Sequence, residues 1–140
     1  SAEENHMDIE VHTENGRVPV SVLHIHGNID SSTYQAFESK AEELINNGTR
    51  YILVDLSHAG FISSAGFRAL NHIFKKLREV HPEANLSDED MKKGISAGTY
   101  KSPHLKLLKL SPETRTAFEM SGFDMYIETF NDMKTAVASF

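Results

Sequence analysis

The run Tyr51-Ile-Leu-Val-Asp-Leu56 constrains the fold more than any other stretch of this chain. A strand with one wet face alternates apolar and polar residues; a short run with almost no alternation fits a strand covered on both faces. Such a strand needs a sheet around it and helices over that sheet, and the flanking sequence supplies them. Before it, Tyr34, Phe37, Ala41, Leu44 and Ile45 recur at helical spacing. Asp30 or Ser32 stands where a cap is expected, Ser32-Thr-Tyr-Gln35 fits a capping box, and Gly48 follows as a left-handed stop. After it, Ile62, Gly66, Ala69, Leu70, Ile73, Leu77 and Val80 form the apolar face of a second helix that begins near Ser63. Ser64, Arg68, Lys75 and Arg78 fall mostly on its other side.

The rest of the chain repeats this alternation. Residues Met7–Thr13 and Val18–His26, joined by Glu-Asn-Gly-Arg, predict a hairpin, with Pro19 at an edge or first-residue position. His104–Leu110 predicts a strand. A helix follows, with Ser111 as cap, Pro112 at its first position and Gly122 just past its end. Asp124–Phe130 predicts a last strand and Asn131–Phe140 a last helix. The expected class is α/β: a mixed, mostly parallel sheet of about five strands with about four helices and right-handed crossovers. Residues 82–104 break the pattern. They are polar, contain Pro82, Pro103, Gly94 and Gly98, and lack apolar periodicity. They are expected as a surface insertion with one or two turns of helix, removable without loss of the fold.

A length of 140 residues points to one domain spanning 1–140, with residues 1–6 as a tail or tag remnant. No cysteine is present, no apolar run approaches the roughly 20 residues of a membrane span, and the start lacks the order of a signal peptide. A cytoplasmic protein is expected. The net charge of −6, without a basic stripe, argues against nucleic-acid partners.

The chemistry concentrates in Gly60–Leu70, where small hydroxyl residues and glycines meet a helix start. Ser63 reads most simply as a cap, stabilising by about 1 kcal/mol. A catalytic serine needs glycines on both sides at an elbow, and neither Ser63 nor Ser64 has them. Asp55 and His58 stand too close along the chain to aim at a serine as a base pair, so no catalytic residue is expected. His24 and His26 share one strand face and would need a further ligand to hold a metal. No metal and no cofactor are expected. Gly60 and Gly66 are too sparse for a phosphate fingerprint. Arg68, one turn from Ser64, is suited to an acid or a phosphate.

The stretch Val54–Leu70, VDLSHAGFISSAGFRAL, resembles the signature of the STAS domain, the family of bacterial anti-sigma-factor antagonists. That signature runs strand, Asp-Leu-Ser, a few residues, Phe, then Asp-Ser-Ser-Gly at a helix start. Here it reads Asp55-Leu56-Ser57, Phe61, then Ser63-Ser64-Ala65-Gly66. The similarity extends on both sides and omits residues 82–104. The resemblance implies a compact βα superhelical fold and a non-catalytic role: docking onto an anti-sigma factor that is itself a GHKL-type serine kinase. In the family the second serine is phosphorylated, and a charge of about −1.5 to −2 then breaks the complex. The matching position here is Ala65, which has no hydroxyl, leaving Ser64 and Ser63 as candidate acceptors. The expected partner surface comprises Ser57, His58, Gly60, Ser63, Ser64 and Arg68. Ser31 and Ser32 are expected near the same end of the sheet. Two alternatives remain open: a sensor domain for a small anion, nucleotide or lipid headgroup, and a scaffold subunit of a signalling assembly.

Overall fold

A computed structural model describes residues 6–140; the first five residues of the expected tail lie outside them. Strands β1 (Met7–Asn15) and β2 (Pro19–Ile29) form an antiparallel hairpin with Met7 opposite Gly27 and Asn15 opposite Pro19. Helix α1 (Tyr34–Asn46) leads to β3 (Ile52–Asp55), which lies parallel to β2 with Asp55 opposite His24. A short β4 (Ala59–Ile62) precedes α2 (Ser64–Val80) and α3 (Asp88–Ala97). The chain ends with β5 (Leu105–Leu108), α4 (Pro112–Met120), a 3₁₀ turn at Phe123–Met125, β6 (Glu128–Phe130) and α5 (Met133–Ala138). The sheet order is β1-β2-β3-β5-β6, and β4 pairs with the end of β2.

All four residues of β3 are buried, as its run of apolar residues requires. Period-two alternation sends Leu23, Ile25, Ile52, Val54, Leu105 and Leu107 into one core with Phe37, Leu70, Ile73 and Leu77 of the helices. Val20, Val22, Leu53 and Leu108 point the other way and pack with Ala136, Val137 and Phe140 at α5. Each fully buried aliphatic side chain contributes about 1.5–3 kcal/mol, so this two-sided burial holds the sheet between its helices.

Among the described residues there are six strands and five α-helices, one more of each than expected. The extra strand is β4, which reads in sequence as the turn into a helix. The extra helix is α3, ten residues instead of one or two turns, capped by Ser87 accepting from the Asp90 amide. The last strand is only Glu128–Phe130, because Gly122 at φ +84° turns the chain into the 3₁₀ segment first. The expected caps of α1 are corrected too. Thr33 is the N-cap residue and makes no side-chain cap, while Asp30 Oδ1 accepts from Ser32 N at 2.9 Å.

Arg78 differs from its expected outward position: it is buried at the end of α2. Its guanidinium bonds the Glu83 carboxylate, donates to the Leu86 carbonyl at 3.1 Å and pairs with Asp88 at 3.1 Å. Tyr100 also donates to Glu83. These ties hold residues 82–104 against α2, with Met91, Tyr100, Ser102 and His104 buried. The anchoring joins these polar ties to four apolar side chains on the core, Leu86, Met91, Ile95 and Tyr100, which are too few to mark an apolar period in the sequence. Val80, expected on the apolar face, is exposed.

Candidate functional site

Strands β2, β3 and β4 run parallel, so the segments that follow them emerge at one end of the sheet. Ser31 and Ser32 lie after β2, Ser57 and His58 after β3, and all four are exposed. Gly60 and Phe61 sit on β4 and are exposed as well. The backbone N–H of Ser63 donates to the Ile29 carbonyl at 2.9 Å, which seats the start of α2 on the end of β2.

The junction is built on close approach. Asn28 Oδ1 accepts from Phe61 N at 2.7 Å, and a Cβ at position 60 would lie 2.2 Å from that oxygen. At Gly66, a Cβ would meet Ile62 Cγ2 at 2.7 Å and the Ile29 carbonyl oxygen at 2.9 Å. Both glycines therefore serve packing. Asp55 accepts from Ser57 N at 3.0 Å and from His24 Nδ1 at 2.6 Å. Burial raises the Asp55 carboxyl, but bonds from Ser57 and His24 more than offset this and hold it below its ordinary value.

The first turn of α2 divides sharply. Ser64 and Arg68 are exposed, and Ala65 is 6% exposed between them. Ser63 has the extended backbone of an N-cap, φ −88° and ψ 176°, yet its hydroxyl makes no cap bond. That oxygen is enclosed and has no hydrogen-bond partner. The simple capping account of Ser63 is thereby corrected. Phe61 is 65% exposed, unusual for a large apolar side chain. It borders a hollow with Ile62, Thr114 and Ala117, roofed by α4. In the sequence Phe61 stands out only as a residue of the family signature, and Asn28 not at all. The unbroken small and apolar tract Ala59–Ile62, with no polar alternation, was the available signal for Phe61.

The histidine and carboxylate groups are engaged elsewhere. Asp55 pairs with His24, so it does not serve His58, which stacks on His26 at 5.3 Å between ring centroids. Among the described residues no group of three or more His, Asp or Glu side chains is placed to hold a metal ion. No helix of the described residues is long and apolar enough to cross a membrane.

An exposed loop and the outward first turn of α2 thus share one end of a sheet buried on both faces, and among the described residues neither serine of that junction is assembled with a base and an acid. The family model described as the STAS domain matches residues 8–86, and the chain belongs to that family, which is not enzymatic. It is 28% identical over 116 residues to a Bordetella bronchiseptica protein named "Putative anti-sigma factor antagonist BtrV", covering 83% of this chain and 82% of that one. The fold is similar to that of an anti-sigma factor antagonist from Mycobacterium paratuberculosis, with a TM-score of 0.68, 20% identity and 95% of each chain covered. It is also similar to the phosphorylated form of the Bacillus cell fate determinant SpoIIAA, with a TM-score of 0.60, 16% identity, and 93% and 96% of the two chains covered.

Proposed function

We propose that this chain is an anti-sigma factor antagonist that works in the cytoplasm by docking reversibly onto an anti-sigma factor of the GHKL serine-kinase type. The docking surface is Ser57, His58 and Gly60 of the loop and β4, with Ser63, Ser64 and Arg68 of α2. Ser31 and Ser32 extend it, and Phe61 is its apolar anchor. The observation that carries this reading is the exposure of Phe61, Ser64 and Arg68 together at one end of the parallel sheet. Exposed aromatic and arginine side chains are the residue types enriched at interface centres.

The usual phosphoserine position is Ala65, so that switch is replaced. Ser64 is the accessible hydroxyl, and a phosphate there would face the unpaired amides of the first turn. Ser63 is the weaker acceptor because its hydroxyl is enclosed. The test is titration of the purified chain against kinases encoded beside it, followed by the Phe61→Ser and Arg68→Glu variants. Tight binding by the wild type and a loss of tenfold or more in each variant is the expected result. Equal binding by all three would place the interface elsewhere.

A further inference from the structure

We propose that β1 is a self-pairing edge: two copies of this chain join antiparallel along Met7–Thr13, with Glu10 of each copy on the two-fold axis. Among the described residues no strand pairs with the outer side of β1. Sheet edges are ordinarily blunted by shortness, lysine, proline, a bulge or a charge pointing inward. The opposite edge, β6, is short, Glu128–Phe130. Strand β1 has nine residues, longer than the usual strand of about 5–6. It contains no lysine or proline, and its register against β2 runs unbroken from Met7 to Asn15. Its core-facing side chains Met7, Ile9 and Val11 are apolar and half-buried.

The backbone shows which groups are free. Ser21 N donates to the Tyr51 carbonyl and Gly27 N to the His58 carbonyl, so these residues of β2 turn their backbone groups away from β1. Their ladder partners are Thr13 and Met7. In an antiparallel ladder the backbone groups of such a pair point outward on both strands. Alternation places Ile9 and Val11 in the same set. Met7, Ile9, Val11 and Thr13 therefore present N–H and C=O groups to the open edge.

Side chains choose the register. Pairing centred on Ile9 would set Asp8 against the partner's Glu10 on both sides of the axis. Pairing centred on Val11 would set Asp8 against the partner's Glu14 in the same way. Like charges directly opposite are destabilising. Centring on Glu10 leaves one like pair, Glu10 with its own copy, and His26 Nε2 already approaches that carboxylate at 3.7 Å. Asp8 then faces the partner's His12, an acid against an imidazole, twice over. On the other face Ile9 meets the partner's Val11, an apolar β-branched pair, also twice. In this register Ile9 and Val11 exchange backbone bonds across the joint, as do Met7 and Thr13, and the two sheets become one.

The whole chain tests this with no kinase present, so its outcome is independent of the proposed docking. Sedimentation equilibrium is expected to show reversible dimers at concentrations up to about 1 mM, and dimer formation should slow hydrogen exchange at the Ile9 and Val11 amides. The chain has no cysteine, so single cysteines report the register. Glu10→Cys should oxidise to a disulfide-linked dimer, because facing residues at the axis lie within bridging distance. Asp8→Cys, whose own copy is displaced along the strands, should not. Val11→Pro removes an N–H that β2 does not use and should weaken the dimer about tenfold or more; Glu10→Gln relieves the like pair and should tighten it. A chain that stays monomeric at the highest concentration overturns the proposal. So do equal cross-linking of the two cysteine variants, or a dimer in which the Ile9 and Val11 amides exchange as in the monomer.

Discussion

Asn28 and Phe61 are 33 residues apart in sequence, and the Asn28 carboxamide oxygen receives the Phe61 amide hydrogen at 2.7 Å. This bond fixes the β4 segment beside the end of β2 and presents the Phe61 ring to solvent. Asn28→Ala should reduce stability by about 1 kcal/mol, the ordinary net value of one hydrogen bond. It should weaken partner binding further, because the anchor loses its placement. Paired thermal melts and binding titrations separate the two effects. Normal binding by a slightly less stable variant would show that the segment's placement is irrelevant to docking.

Gly66 has no room for a methyl group. One contact would be with the Ile29 backbone oxygen, which cannot rotate away. Gly66→Ala should lower stability by about 1–3 kcal/mol, the range for overpacking. In urea the midpoint should fall with the slope unchanged. A variant as stable as the wild type would mean that α2 can lift off β2 without loss.

Arg78 carries a buried charge whose partners come from residues 82–104. Breaking a buried pair from one side is destabilising by about 3–5 kcal/mol, so Arg78→Ala should show a loss of that order in urea denaturation. Deleting residues 82–104 should destabilise at least as much, since Tyr100, Ser102 and His104 leave the interior with them. A deletion variant that melts like the full chain would show this segment to be dispensable.

Acid should destabilise the protein through His104. Burial pushes its imidazole below the ordinary value, with the Glu83 carboxylate acting against this and His81 and Arg78 adding to it. The unfolded chain therefore takes up this proton first. The contribution is complete above about pH 6.5, the unperturbed value, and is lost as pH falls through the lower native value. Glu83 is also held below its ordinary value, since its bond from Tyr100 and the Arg78 charge outweigh the effect of burial, and its loss comes in a more acidic window. Melting temperatures measured downward from neutral pH should decline, and His104→Phe should flatten the first part of that decline. An identical decline in the variant would assign the acid response to other groups.

Phosphate labelling by the proposed partner kinase should follow exposure. Ser64→Ala should abolish incorporation into the wild type, and Ser63→Ala should leave it largely intact, because the Ser63 hydroxyl is enclosed. Mass spectrometry locates the label. Labelling of Ser63 would require the first turn of α2 to open in the complex.

Much of this molecule is legible in its sequence because its main elements depend on period. The unbroken run at Ile52–Asp55, the 3.6-residue stripe through Leu70, Ile73 and Leu77, and the cap pair Ser111 and Pro112 are local signals, and each is realised. The failures share another cause. β4 is a strand only because the end of β2 lies beside it. The anchoring of residues 82–104 depends on Arg78, a charge that local pattern assigns to water. Ser63 has the identity and backbone of a cap, but its side chain turns inward. The importance of Asn28 is invisible because its partner is 33 positions away. Tertiary contacts decide these cases, and no short window contains them.

Strand β2 is bonded to three others: β1 over Pro19–Gly27, β3 over Ser21–His24 and β4 at its end. Its alignment is therefore common to every edge of the exposed junction. A slip anywhere along it displaces Asp55, Phe61 and the first turn of α2 together. A partner that grips this end of the molecule is in effect inspecting whether the whole sheet has been assembled in step. Damage as distant as the turn between the first two strands would be felt at the point of contact.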